Sequence, residues 1–165
     1  MTHSDLVNET SGLIASDEPS DILELLDRAT CLGLLAGIDV GRVAWAEGGS
    51  AGGTIMVFPL NFVVDGDEIV MRTSSDVICA QVAAKHRLTF QADDFEPAIR
   101  CGWTVLASGP VEVVTEPAEV ERLAGLVHPW RGESNLRVLR LHVESMTGRR
   151  LQTRPGTIET VRVGP

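Results

Sequence analysis

Arg72, Thr73, Ser74 and Ser75 follow an apolar run, Ile69-Val-Met, and combine a guanidinium group with three hydroxyl groups. A strand ending here would carry these groups to the start of a helix. Helix N-termini attract anions because their first N–H groups lack partners and the helix dipole is positive there. Arginine can bind phosphate oxygens through two parallel hydrogen bonds. The run therefore predicts a phosphate site, although a plain strand end with a serine cap and a surface arginine fits the same residues.

The charge balance limits the possible partners. The chain has 165 residues, a net charge of −9 and an isoelectric point near 4.8. Nucleic acid and anionic membranes attract surplus positive charge, so neither is an expected partner. Lys85 is the single lysine among fourteen basic residues. A phosphate site in this chain must therefore be built on arginine.

The three cysteines are widely separated along the chain, at Cys31, Cys79 and Cys101. Their odd number and the lack of a CxxC pair indicate neither a disulfide framework nor a zinc site. The N-terminus lacks the basic start and apolar run of a signal peptide, and no window approaches the length of a membrane helix. We therefore expect reduced thiols and a cytoplasmic protein without a metal.

Residues 1–19 are polar and acidic, and we predict a flexible arm followed by a single domain over 20–165. Apolar residues at helical spacing predict a helix that Ser20 caps and that ends near Gly33 or Gly37. Three antiparallel strands should follow, at 41–45, 54–64 and 68–73, with a hairpin turn at Asp65-Gly66-Asp67. Pro59 cannot donate to a strand ladder, so the second strand should bend, bulge or lie at an edge there.

The second half of the chain continues the sheet. A short helix is predicted over 75–84, then strands at 88–92 and 103–115 separated by an acidic link with Asp93, Asp94 and Glu96. Pro117 should begin a helix that His128-Pro129 ends, and strict alternation over 136–144 predicts a half-buried strand. About six antiparallel strands with two or three helices predict a mainly β fold, a β-barrel with flanking helices.

The order of short motifs resembles one family. The motifs are Gly41-Arg42, Pro59-Leu60-Asn61, Asp65-Gly66-Asp67, Arg72-Thr73, Asp93, Gly102-Trp103-Thr104-Val105, Gly109, Pro129-Trp130 and Thr147-Gly148-Arg149-Arg150. Over about residues 20–152 this order is similar to the pyridoxamine 5′-phosphate oxidase-like split barrels, especially short actinobacterial members. The resemblance implies a six-stranded antiparallel Greek-key barrel and a homodimer that binds FMN, or in some branches F420, in two grooves at its interface.

The resemblance also implies a set of cofactor-binding residues. Val57, Pro59, Leu60 and Asn61 would line the flavin ring, Arg72, Thr73, Ser74 and Ser75 would surround the phosphate, Trp103 and Thr104 would border the groove, and Trp130 and Arg131 would approach from the partner subunit. Packing in the core is the alternative for Trp103 and Trp130, and a rim position is the alternative for Arg131.

One departure from the family pattern concerns the phosphate. Family members commonly have a glycine, and two residues later a lysine, where this chain has Asp76 and Ile78. A carboxylate near a phosphate costs binding energy, and Lys85 lies about 10 Å further along a helix from Ile78. FMN, F420 and no cofactor therefore all stay open.

Two functions follow from these observations. The first is a flavin- or F420-dependent oxidoreductase acting on a small-molecule substrate, in which the cofactor supplies the hydride chemistry. The second is a non-catalytic dimeric binding protein that keeps the barrel and has lost the usual phosphate clamp. No side chain stands out as a general acid or base.

Overall fold

The computed structural model describes residues 22–47, 53–84, 87–128 and 135–152. The elements in chain order are β1 (Ile22–Leu26), α1 (Arg28–Leu35), β2 (Val40–Glu47), β3 (Thr54–Asp65), β4 (Glu68–Thr73), α2 (Asp76–Ala83), β5 (Arg87–Glu96), β6 (Cys101–Val113), α3 (Pro117–Ala124), β7 (Arg137–Leu141) and β8 (Ser145–Gln152). Within these ranges no helix is both long enough and apolar enough to cross a membrane. The predicted arm at 1–19 lies outside the described residues, so the predicted division into arm and domain stays a prediction.

Six antiparallel strands form a closed ring in the order β6-β5-β2-β3-β4-β7. The ring closes because the last residues of β6, Val111–Val113, pair with β7. Strand β5 lies beside β2 rather than β4, which is the Greek-key order. The predicted mainly β barrel with flanking helices is therefore confirmed. Strands β8 and β1 extend the sheet from the earlier part of β6, which brings the described strands to eight.

The prediction of one helix from Ser20 to about Gly33 was wrong in its first half. Ile22–Leu26 form β1, paired with β8, and the helix begins only after Asp27. The Asp27 carboxylate accepts a hydrogen bond of 2.7 Å from the Thr30 N–H and so caps α1. Ile22, Leu25 and Leu26 recur at helical spacing, while Leu23 and Leu25 are two residues apart, as on one face of a strand. Pairing with β8 selects the strand.

Other elements also differ from prediction. Asp93, Asp94 and Glu96 continue β5 and pair with β6 rather than forming a link. Helix α3 ends at Ala124, before His128. Strand β8 was not predicted, because its run of polar residues shows no alternation of apolar side chains.

Two local predictions about β3 are confirmed. The turn after it is a hairpin, with Asp65 paired to Glu68 and Gly66 at a φ of 63°, a conformation that favours glycine. Pairing with β4 begins only at Asn61, so Pro59 has β2 on one side and no strand partner on the other within the described chain. This is the edge position that a proline tolerates.

The interior of the closed barrel is the main hydrophobic core. Phe62 and Phe90 meet near its centre with ring centroids 4.7 Å apart and planes at 64°. Helix α2 covers this core with Ile78 and Val82. A smaller second cluster forms where α3 packs on the outside of β4 and β7.

Ion pairs hold α3 against the barrel next to that second cluster. Arg140 of β7 pairs with Glu68 at 3.0 Å, with Glu112 at 3.4 Å, and with Glu119 of α3. Glu119 also pairs with Arg122 at 2.8 Å within the helix. The Arg140 side chain is mostly buried, which makes an unpaired charge costly, and three carboxylates compensate that charge.

We expect acid to weaken the attachment of α3. The hydrogen bond from Arg122 is the main cause that lowers the pKa of Glu119 to about 2, and it also lowers the pKa of Asp65. Because these folded-state pKa values lie below those of the unfolded chain, the stabilisation is complete above the unfolded values and is lost as pH falls through the folded ones. The urea midpoint should therefore fall on acidification from neutral pH, and it should fall less in Glu119→Gln. An equal fall in both proteins would contradict this assignment.

Candidate functional site

The predicted ring-binding residues of β3 point to two different faces. Successive side chains of a strand alternate, so Val57, Pro59 and Asn61 face outward while Leu60 faces the core. Val57 is 53% exposed, and Leu60 is buried. Only the outward three can offer their side chains to a ligand on the barrel surface. Leu60 can contribute its backbone alone.

These outward residues belong to a continuous surface, which we call the outer face. One cross-strand row of this face contains Pro59 of β3, Arg42 of β2, Gln91 of β5 and Leu106 of β6. Val57 lies in the next row, opposite Ala44. The outer face therefore places exposed apolar side chains beside a fixed polar group.

That polar group is a small network next to Pro59. The Arg42 Nη1 donates hydrogen bonds of 3.1 Å to Gln91 Oε1 and 3.3 Å to Asp93 Oδ1. The Gln91 Nε2 lies 3.5 Å from Thr104 Oγ1, which brings the predicted groove residue Thr104 into the network. Arg42 was seen in the sequence only as part of a motif. Its place in the row with Pro59 depends on strand register, which the sequence alone does not give.

Trp103 and Thr104 do not share a surface, because they are adjacent in β6. Trp103 points inward, is half-buried and packs against the main core. Thr104 points to the outer face, opposite Asp93 of β5. The structure therefore places the Trp103 side chain with the core, as the packing alternative expected, and leaves Thr104 near the predicted groove.

Arg72 lies at the edge of the outer face, opposite Asn61. Its Nη1 donates hydrogen bonds of 3.2 Å to the carbonyl of Ala124 and 3.3 Å to that of Val127. These carbonyls lie at the end of α3, where the helix dipole is negative and a cation is stabilised. Arg72 thus ties β4 to α3, while its buried Nε has no hydrogen-bond partner in the described part of the chain.

Thr73 and Ser75 shape the start of α2. The Thr73 side chain, 7% exposed, accepts a hydrogen bond of 3.1 Å from the Ser75 N–H. The Ser75 hydroxyl caps the helix by accepting from the Ile78 N–H at 3.4 Å. Ser74 is exposed between them. The predicted helix start with its hydroxyl groups is therefore present, directly after β4.

Arg137 is a residue near this helix start that the sequence did not single out. It pairs in register with Thr73, and its Nη2 donates to the Ser74 carbonyl at 3.3 Å and to Asp76 Oδ1 at 2.5 Å. The hydrogen bond that Arg137 donates to Asp76 raises the pKa of Arg137, so the guanidinium stays charged. Sixty-one residues separate Arg137 from Asp76, so only the pairing of β4 with β7 brings them together.

Ile78 occupies the position where the family commonly has a lysine, and it is 2% exposed. Its side chain packs into the main core beneath α2. It therefore takes no part in a surface site. The predicted residues Trp130 and Arg131 lie outside the described residues.

Comparisons with known proteins assign the chain to a family. The sequence model of the family described as pyridoxamine 5′-phosphate oxidase matches residues 27–150. The uncharacterized protein Rv0080 of Mycobacterium tuberculosis is 30% identical over 131 residues, which cover 76% of this chain and 84% of that protein.

Solved structures share this fold. An FAD-binding protein from Mycobacterium smegmatis is 25% identical, with a TM-score of 0.61 over 77% of this chain and 97% of its own. An FAD-binding protein from Mesorhizobium loti is 20% identical, with a TM-score of 0.64 over 79% of this chain and 97% of its own. The barrel order, the helix start after β4 and the match over residues 27–150 together show that the chain belongs to the pyridoxamine 5′-phosphate oxidase-like family.

Proposed function

We propose that this protein is a flavin-dependent oxidoreductase that acts on a small-molecule substrate as a homodimer. The single observation that carries the proposal is the run of outward side chains from Val57 and Pro59 to Asn61, which leads toward the helix start after Thr73. Family membership and the FAD-binding protein of Mycobacterium smegmatis support it.

The outer face fits the ring of a flavin. Val57 and Pro59 are exposed, apolar and two residues apart on one strand, so they offer a flat surface to one side of an aromatic ring. Arg42 lies next to Pro59 and provides a guanidinium at the edge of this surface. A positive charge there would stabilise negative charge that develops on a reduced ring.

The start of α2 fits the phosphate that FMN, FAD and F420 all carry. Three kinds of donor lie close together there: the first N–H groups of the helix, the hydroxyl of the N-cap residue Ser75 and the Arg137 guanidinium. Arg72 and Arg137 each have a buried Nε without a hydrogen-bond partner in the described chain. Such a donor set suits an anion with several oxygens. We propose FMN or FAD as the cofactor, with F420 as the alternative.

The cofactor, when bound, would supply hydride transfer. The residues of this chain would bind and orient it. Val57 and Pro59 would exclude water from one side of the ring, and Arg42, held by Gln91 and Asp93, would supply fixed positive charge. Thr104, on the same network, would border the groove.

We propose that a second copy of the chain completes the groove. Ile55, Val57 and Leu106 expose apolar side chains on the outer face, and apolar surface of this kind marks interaction sites. A twofold partner covering it would bring the partner's Trp130 and Arg131 to the ring, as the family resemblance implies. Light scattering that finds a monomer at micromolar concentration would refute both assignments.

The cytoplasm is the proposed location. Cys31, Cys79 and Cys101 are all free thiols in the structure. Burial raises the pKa of the Cys31 and Cys79 thiols, so these two are poor nucleophiles. Unpaired thiols are usual in a reducing compartment.

A non-catalytic flavin-binding protein is the second candidate, favoured by the buried Ile78 in place of a lysine and by the exposed Asp76 carboxylate. Anaerobic mixing of the flavin-loaded protein with NADPH, followed by an electron acceptor, separates the two functions. Bleaching and recovery of the flavin absorbance over repeated cycles supports the oxidoreductase. Bound flavin that neither NADPH nor NADH reduces supports the binding protein.

A further inference from the structure

We propose that Arg137 is the cation that binds the phosphate end of the cofactor in this chain, and that Asp76 positions it when no cofactor is bound. The inference rests on the proposed flavin function. It assigns to Arg137 the charge that the family commonly supplies from the position of Ile78, whose side chain is buried in the core.

The position of Arg137 is electrostatically unusual. Its guanidinium bonds to Ser74 and Asp76, the residues on either side of the α2 N-cap. The helix dipole is positive at this end, so it repels a cation and attracts an anion. Asp76 is the carboxylate that pairs with Arg137 among the described ion pairs. An anion beside the guanidinium, here the Asp76 carboxylate, offsets this repulsion.

The pair with Asp76 leaves capacity for a ligand. The Asp76 side chain is 93% exposed, and an exposed ion pair contributes little to stability. A guanidinium has five N–H donors, and the buried Nε of Arg137 has no hydrogen-bond partner in the described chain. A phosphate, with up to two negative charges, can therefore replace Asp76 as the partner of Arg137.

Arg72 is less suited to this role. Its Nη1 already donates hydrogen bonds to two carbonyls at the end of α3. Arg137, by contrast, pairs in register with Thr73 at the end of β4, where α2 begins. Of these two arginines, Arg137 is therefore the one at the helix start.

The test compares FMN with riboflavin, which has the same ring and no phosphate. Flavin fluorescence quenching gives the Kd of each for the full chain. Arg137→Gln should weaken FMN binding by about 10- to 100-fold, the value of a charge-assisted bidentate contact, and leave riboflavin within about twofold. Asp76→Asn should strengthen FMN binding by about threefold to tenfold, since it removes a competing like charge, and leave riboflavin unchanged.

Arg87→Gln is the matched control. Arg87 also forms an exposed pair with a carboxylate, that of Glu144, and its loss should change neither Kd. Riboflavin binding by each variant reports that its ring site is folded.

Three outcomes would overturn the proposal. FMN affinity that is unchanged in Arg137→Gln, or FMN and riboflavin that weaken equally, would make Arg137 a structural residue while flavin binding stands. Equal affinity of the wild-type protein for FMN and riboflavin would show that the phosphate contributes nothing to binding. A wild-type protein that binds neither would refute the flavin function and this inference with it.

Discussion

Val57→Asp is expected to bind FMN or FAD about 100-fold more weakly than the wild-type protein, because a carboxylate held against the flavin ring loses its hydration and gains no partner in return. Val57 is 53% exposed in the chain, so the same substitution should change the melting temperature of the unliganded protein little. Fluorescence titration of each flavin measures the affinity, and a thermal scan measures the stability.

Val57→Thr is the control for this prediction. Threonine has nearly the shape and the β propensity of valine but carries no charge. It should reduce flavin affinity by no more than about fivefold, consistent with loss of apolar contact alone. Equal affinities of Val57→Asp and the wild-type protein would show that the ring does not lie on the outer face of β3.

Phe90→Ala is expected to destabilise the fold by about 3–5 kcal/mol, the range found when a buried phenylalanine is truncated. Phe90 is fully buried in the ring of strands and contacts Phe62. Chemical unfolding in urea gives the free energy of unfolding. A loss of less than about 1 kcal/mol would contradict the assignment of Phe90 to the core.

Gly41 provides a second test of the same packing. A Cβ added at Gly41 would lie 2.3 Å from Phe90 Cζ, so Gly41→Ala should destabilise the wild-type protein. In the Phe90→Ala background the space is free, and the same change should cost little or add stability. A double-mutant cycle should therefore show coupling of at least about 1 kcal/mol. Additive effects would contradict the close contact between the two residues.

The sequence predicted the strands of the closed barrel better than the first and last strands of the described chain. Turn residues at 65–67 and the β-rich runs on either side of them identify β3 and β4, because local chemistry fixes both. The segment Ile22–Leu26 is different, since its leucines fit a helix and a strand equally. Pairing with β8 decides between the two, and that pairing connects residues more than a hundred positions apart.

The candidate site was predicted only in part, and the reason is related. A motif of consecutive residues, such as Pro59-Leu60-Asn61, names a place on a strand, but alternate side chains then face opposite ways. Leu60 and Trp103 go to the core for this reason. Arg137 went unnoticed because its relation to Thr73 depends on the register of β4 with β7, which leaves no local signal.

The central claim is that the outer face and the start of α2 bind a flavin. The most direct test is an absorbance spectrum of the purified protein between about 300 and 500 nm, before and after incubation with FMN, FAD or F420 and removal of free ligand. We predict a retained flavin band in the wild-type protein, approaching one ligand per chain, and loss of that band in Val57→Asp. A spectrum without a cofactor band after all three incubations would contradict the claim.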